Sequence, residues 1–273
     1  MFQPTAPRSS FRSLFATLEL IFHVAVRDIR MDNSNAVVGL IVNVIQSTAM
    51  LATFWFMFNI LGLRGSAVRG DYMLYMMSGI FMYMTHVKTV RAVSKAEGPT
   101  SAMMKHAPMN TIVAICGQSL AALYQQVLAA AVILFIYNTL FVRIEIEFPV
   151  AAFAMMLLAW ITGIGVGMIF KAAMPWAPDF FRVLMTVYTT ANMIASGKMF
   201  LANALPTKIM FWFSWNPLFH IIDQTRGFVF LNYSPHYTSI SYAVITGLVL
   251  IFLGLLGDTF TRQYASASWS AGK

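Results

Sequence analysis

Apolar residues in this chain gather into long uncharged runs, separated by short connections that carry most of the charge. The runs cover residues 36–61, 72–87, 111–141, 150–170, 183–197 and 240–257. A helix of about 20 apolar residues crosses the hydrocarbon core of a bilayer, so the pattern predicts six transmembrane helices with both termini on one side. The second and fifth runs are short, and basic side chains at their flanks extend them by reaching back to the interface. Ahead of the first run, Phe11, Leu14, Phe15, Leu18, Ile21, Phe22, Ala25 and Ile29 recur at helical spacing, with Arg12, Glu19, Arg27 and Asp28 elsewhere on the wheel. That predicts an amphipathic helix over 11–30 lying in the membrane interface. Arg27, Asp28 and Arg30 close it before a cap at Asn33, Ser34 and Asn35. A further apolar patch, 209–222, has 14 residues and carries Asn216, Pro217 and His220; it is too short to cross and reads as a segment that dips into the membrane and returns.

Composition narrows the class. Hydrophobic residues make up 59% of the 273 positions and charged residues 10%, against about 25% charged in a soluble domain. So little polar surface cannot cover a water-soluble core, which leaves an all-α membrane protein. The net charge of +8 calls for no nucleic acid, because the Lys and Arg residues divide twelve to six between alternate connections. The richer set includes the two ends of the chain, so the positive-inside rule places both termini in the cytoplasm. Cys116 is the one cysteine and makes no intrachain disulfide. The first ten residues lack the apolar core of a cleavable signal peptide, so the first span is expected to direct insertion. Gly163, Gly165 and Gly167, and later Gly247, Gly254 and Gly257, mark faces where helices pack closely. With no internal repeat, 1–273 reads as a single transmembrane domain.

The chemistry of an enzyme is missing. There is no HExxH, no Cys/His metal spacing and no GxxxxGK[ST] loop. No catalytic residue, metal or cofactor is therefore expected, and the energy for transport has to come from another protein. No Asp, Glu, Lys or Arg lies in the middle of a run, unlike the usual ion-coupled transporter, and His86 at the end of the second run reads as interfacial. After that run, Glu97-Gly98-Pro99 breaks the chain, Thr100 or Ser101 can cap a helix, and Pro108 ends it. Residues 98–108 read as a short cytoplasmic helix presenting Met103, Met104, Lys105 and His106, a composition suited to protein contacts; an ordinary solvated loop fits equally well. Over 203–228, Trp212, Phe213 and Trp215 flank Asn216-Pro217, and His220, Asp223 and Arg226 follow. Proline breaks helices, so this connection reads as a periplasmic re-entrant hairpin. In it Trp215, Asn216, Pro217 and His220 form a lid, with Asp223 and Arg226 at its outer rim.

These pieces, in this order, resemble the membrane subunit of ABC-2 type exporters and, among them, the capsular polysaccharide export permeases. The residues that carry the resemblance are LIFHVAVRDIR at 20–30, the segment 95–115, Ala177-Pro178-Asp179 after the fourth run, and above all WNPLFHIID at 215–223 with Arg226. The sequence departs from that pattern at Gly39-Leu40-Ile41-Val42, where the family usually has Gly-x-x-Trp, and in the thin basic cluster after the last run.

The resemblance implies a homodimer bound to two copies of a separate ATP-binding cassette subunit, with 98–108 docking as a coupling helix through Glu97, Thr100, Met103, Met104, Lys105 and Pro108. It implies export of a lipid-linked polysaccharide across the bacterial inner membrane, with a periplasmic co-polymerase or outer-membrane export component as a further partner. A glycan conduit is expected to use aromatic faces and hydroxyls. Phe54, Trp55, Phe58, Tyr72, Tyr75 and Tyr83 are the candidates for lining it, although lipid contact is the plainer role for most of them. The competing readings are an ABC-2 exporter of O-antigen, teichoic acid or a drug, and a membrane-embedded transferase. For the latter only Glu145 and Glu147, beside Arg143 in a short outer loop, offer carboxylates.

Overall fold

The computed structural model of the protein describes residues 10–31, 36–60, 70–96 and 111–264. Among these residues the regular structure is helical, without a strand. The helices are α1 (Ser10–Met31), α2 (Ala36–Ile60), α3 (Tyr72–Ser94), α4 (Thr111–Leu140), α5 (Pro149–Ala173), α6 (Pro178–Ala195), α7 (Thr207–Phe213), α8 (Pro217–Val229) and α9 (Ile240–Tyr264), with one 3₁₀ turn at Ala202–Ala204. Proline opens α5, α6 and α8, where its fixed φ suits the first helical position and its missing N–H is not needed. Four helices, α2, α4, α5 and α9, are long and apolar enough to cross a membrane. The other two predicted crossings fall on α3, which carries Lys88 and Arg91 in its last turns, and on α6, which has only 18 residues and begins with Asp179 and Arg182.

Helix α3 is the centre of the molecule: 18 of its 23 residues are buried, and α2, α4, α5 and α8 all pack on it. Small residues set the closest approaches. A Cβ added to Gly163 would lie 2.8 Å from the His86 carbonyl oxygen, and one on Gly167 would lie 2.7 Å from the Val93 Cβ, so α5 meets α3 at near-backbone distance. Gly165 and Gly254 do the same between α5 and α9, which is the close packing expected of these glycines. Toward the C-terminal ends of α5 and α9 the contact becomes ionic. Lys171 donates to Asp258 at 3.1 Å, and Arg262 caps the same carboxylate at 2.6 Å.

Helix α1 packs on α4 through Val24 and Ala25, whereas Leu14, Phe15, Leu18 and Phe22 point away from the protein. Helix α6 is held differently. Only Thr189 and Asn192 are buried on it; Phe181, Met185 and Tyr188 pack against Val90, Val166 and Phe170, and polar contacts add to this: Tyr188 Oη lies 2.8 Å from His86 Nε2, and Tyr83 Oη donates to the Thr189 carbonyl at 3.0 Å. His86 is therefore not interfacial. It is fully buried between α3, α5 and α6, with Nδ1 3.0 Å from Thr162 Oγ1.

The stretch before α9 returns on itself. Asn203 donates to the Ser234 carbonyl at 2.7 Å and accepts from the His236 amide at 3.2 Å, so the entrance and exit of this stretch touch. Between them the chain breaks at Asn216, whose Oδ1 caps α8 by accepting from the Leu218 amide at 3.0 Å, while Nδ2 donates to Asn192 Oδ1 at 2.9 Å and to the Ala195 carbonyl at 3.0 Å. His220 secures the turn. Its Nδ1 accepts from the Ser239 amide at 2.9 Å, which leaves Nε2 to donate to the Ser214 carbonyl at 2.7 Å.

Candidate functional site

Two clusters of cations occur along α3. At its C-terminal end Lys88, Arg91 and Lys95 share one face, being three and four residues apart. They open into a cavity of about 300 Å³ between α1, α2, α3 and α4. The opposite walls supply amides, Asn43 and Gln46 from α2 and Gln118 and Gln125 from α4, and Asp28 from α1 is the one carboxylate in the lining. Asn43 organises the wall: its Nδ2 donates to the Gln125 carbonyl at 2.6 Å, and its Oδ1 accepts from Gln126 at 2.8 Å and from the Lys88 ammonium. Gln118 Oε1 is buried without a hydrogen-bond partner. Three cations against one carboxylate, backed by amides, form a concave surface suited to an anionic headgroup such as phosphate or carboxylate.

Nearer the start of α3 the second cluster is dry. Arg226 on α8 is 0% exposed. Its Nη1 donates to the carbonyls of Gly197 (3.0 Å) and Phe200 (2.6 Å), and its Nη2 to that of Lys198 (2.6 Å). The guanidinium lies 4.2 Å from the Tyr75 ring centre. Lys198, 1% exposed, places its ammonium 3.6 Å from the Tyr83 ring centre and 4.5 Å from that of Phe54. Such contacts return on the order of 2 kcal/mol each when water is excluded, less than an ammonium loses on burial. Asp223 is buried as well and accepts from Tyr233, from Thr238 at 2.8 Å and from the Ala202 amide at 3.3 Å. Burial and then the Asp223 carboxylate push the Tyr233 phenol above its ordinary range, which keeps it a donor.

These positions correct two expectations. Asp223 and Arg226 are not at an outer rim: both are buried, because the carbonyls of 197–200 and the hydroxyls of Tyr233 and Thr238 take the place of water around them. Of the six aromatic candidates for a path, Phe54, Tyr75 and Tyr83 are buried beneath Lys198 and Arg226 and line no open surface of the chain. Trp55 is 44% exposed and borders an apolar groove with Met73, Met77, Ile136 and Phe141. Phe58 and Tyr72 are half-buried and meet edge to face. Of the residues expected to form a lid, Trp215 is exposed, whereas Asn216, Pro217 and His220 form the turn before and into α8. Asp28 lines the basic cavity, Arg27 is half-buried beside it in sequence, and Arg30 is exposed. Glu97, Thr100, Met103, Met104, Lys105 and Pro108 lie outside the described residues. Among the described residues, no group of three His, Cys, Asp or Glu is placed to hold a metal.

The sequence reading missed Lys198 and Asn43 and took Lys88, Arg91 and Lys95 only as flanking charge. The spacing of the last three was visible; the amides across from them were not, since α2 and α4 meet α3 only in the fold.

Two curated proteins are similar to this chain. Both are named polysialic acid transport protein KpsM and come from Escherichia coli; they are 28% and 27% identical over 152 residues, covering 54% of this chain and 56% of each relative. The resemblance to capsular polysaccharide export permeases is borne out. The chain spans about half the length of the curated relatives it matches. No protein-family model matches it.

Proposed function

We propose that the chain is the membrane-spanning permease subunit of an ATP-driven exporter that moves a lipid-linked capsular polysaccharide across the bacterial inner membrane. The basic, amide-walled cavity between α1 and the ends of α2, α3 and α4 carries this reading. It lies at the end of the helices that the charge bias assigns to the cytoplasm, where a newly made glycolipid would offer its phosphate or acidic sugars. A neutral drug has no use for three cations at that place, which ranks a drug exporter lower. Export of another anionic lipid-linked glycan, O-antigen or teichoic acid, is the second reading, and the same cavity serves it. A transferase would rest on Glu145 and Glu147, which line a cavity with Asp71 and Arg143, and it ranks below both export readings.

In this reading six helices cross the membrane, α1 lies in the cytoplasmic interface and both termini are cytoplasmic. The stretch 203–228 dips in from the periplasm, consistent with the contact between Asn203 and Ser234. Two copies bind two ATP-binding cassette subunits through 98–108, and a periplasmic co-polymerase or outer-membrane component continues the route. The chain itself cleaves no ATP.

The test is co-expression with an ATP-binding partner in a strain that lacks its own capsule exporter. Wild type restores surface polysaccharide; Met104→Asp and Lys105→Glu leave the protein in the membrane but abolish export. Export that persists without any ATP-binding partner contradicts the reading, as does ATP hydrolysis by the purified chain alone.

A further inference from the structure

The ammonium of Lys198 is buried with no hydrogen-bond acceptor. The buried ammonium of Lys171 has Asp258, and the half-buried one of Lys88 has Asn43. No carboxylate among the described residues pairs with Lys198, and Asp223, three residues before Arg226, is occupied by Tyr233, Thr238 and the Ala202 amide. Aromatic faces return only part of what an ammonium loses on leaving water. An uncharged side chain of similar length would fill the space between Phe54 and Tyr83 without that loss, so packing alone gives no reason for a charge here.

The backbone around it has the opposite character. Gly197 takes φ +71 and ends α6; a Cβ there would lie 2.5 Å from the Phe219 ring. The carbonyls of Gly197, Lys198 and Phe200 are all held by Arg226, and Gly79 lets α3 approach within 3.1 Å of the Lys198 Cα, measured from an added Cβ. The turn is fixed, whereas the charged end of its lysine has no polar anchor. A flexible four-carbon stem on a fixed turn is suited to presenting a charge in one state and storing it in another.

We propose that Lys198 is a specificity-determining transport residue, whose ammonium is stored on Phe54 and Tyr83 and pairs with anionic oxygens of the translocated chain. This rests on the permease reading and adds to it a residue that meets the anionic groups of the substrate away from the basic cavity. The anionic oxygens are either carboxylates along the glycan or the phosphate at its lipid end.

The test uses the permease with its ATP-binding partner, in cells making an acidic polysaccharide and, in parallel, in cells making a neutral polysaccharide on the same lipid phosphate. Lys198→Met and Lys198→Arg are compared by surface polysaccharide and by the thermal midpoint of the purified complex. Lys198→Met keeps or raises the midpoint but lowers export of the acidic polymer about tenfold, the loss of one charge-assisted hydrogen bond, and Lys198→Arg restores most of it. If the neutral polymer is unaffected, the partner is the sugar carboxylate; if it falls equally, the partner is the lipid phosphate. Wild-type export of the acidic polymer by Lys198→Met overturns the proposal, and so does a loss that merely follows a lowered midpoint. Export of neither polymer by the wild type contradicts the permease reading instead and removes the ground for this one.

Discussion

At its C-terminal end α3 carries Lys88, Arg91 and Lys95 into an open cavity, whereas nearer its start Tyr75, Gly79 and Tyr83 form the floor beneath Arg226 and Lys198. In the first region Arg91 and Lys95 are exposed and Lys88 is half-buried on Asn43, and the three cations face amides and a single carboxylate across an open cavity. In the second region both cations are buried: three carbonyls accept from the two Nη atoms of Arg226 while its Nε has no partner, and the Lys198 ammonium lies over two aromatic faces without an acceptor. The contrast separates two uses of positive charge in one membrane protein. A charge in the cavity contributes little to stability and much to recognition, while a charge locked by carbonyls holds elements together and cannot be removed without loss.

The largest effect follows from the dry region. Arg226→Ala removes the donor of three buried carbonyls and is expected to cost about 3–5 kcal/mol, the scale of an uncompensated buried polar network. A lowered thermal midpoint and reduced accumulation in the membrane report it. Arg226→Lys recovers only a fraction, since an ammonium lacks the planar fork that reaches carbonyls on both sides. An unchanged midpoint in Arg226→Ala would erase the distinction between the regions.

Gly79→Ala probes the same floor more gently. Its new Cβ would meet Lys198 Cβ at 3.0 Å and Arg226 Nη2 at 3.1 Å, and separating α3 from the turn is expected to cost about 1–2 kcal/mol. In the cavity, Asn43→Ala removes the acceptor of Lys88 and Gln126 and should cost roughly 1 kcal/mol, with a larger fractional effect on substrate binding than on the midpoint. Trp55→Ala, at the exposed groove, is the smallest: its stability change stays within about 0.5 kcal/mol, measured in the same melts. A Trp55 effect on the scale of Arg226 would mean that the exposed aromatic edge, rather than the buried one, holds the fold.

The same contrast explains what could be read from sequence. Helices α2, α4, α5 and α9 overlap uncharged runs; α2, α4 and α9 turn apolar side chains outward, whereas α5 buries most of its apolar residues against its neighbours. Helix α3 continues to Ser94, beyond the run that ends at 87, because its last charged residues face a polar cavity instead of lipid. Asn216-Pro217 broke the chain where expected, since proline chemistry is local. The burial of Asp223 and Arg226 was not legible. Their partners lie 10 to 29 residues away, and a charge followed by aromatic and polar residues looks the same in sequence whether it meets water or carbonyls. Lys198 was counted as a loop charge for the same reason: Phe54 and Tyr83 come to it from helices far along the chain.

The central claim, that the cavity formed by Lys88, Arg91 and Lys95 receives the anionic end of the substrate, is tested most directly by equilibrium binding. The permease complex in nanodiscs is titrated with a fluorescent lipid-linked acidic oligosaccharide at increasing salt, as wild type and as the double variant Lys88→Gln, Arg91→Gln. The account predicts that wild-type affinity falls with salt, that the double variant binds at least about tenfold more weakly with a shallower salt dependence, and that both melt within about 1 kcal/mol of each other. Equal affinity and equal salt dependence in the two proteins would contradict it.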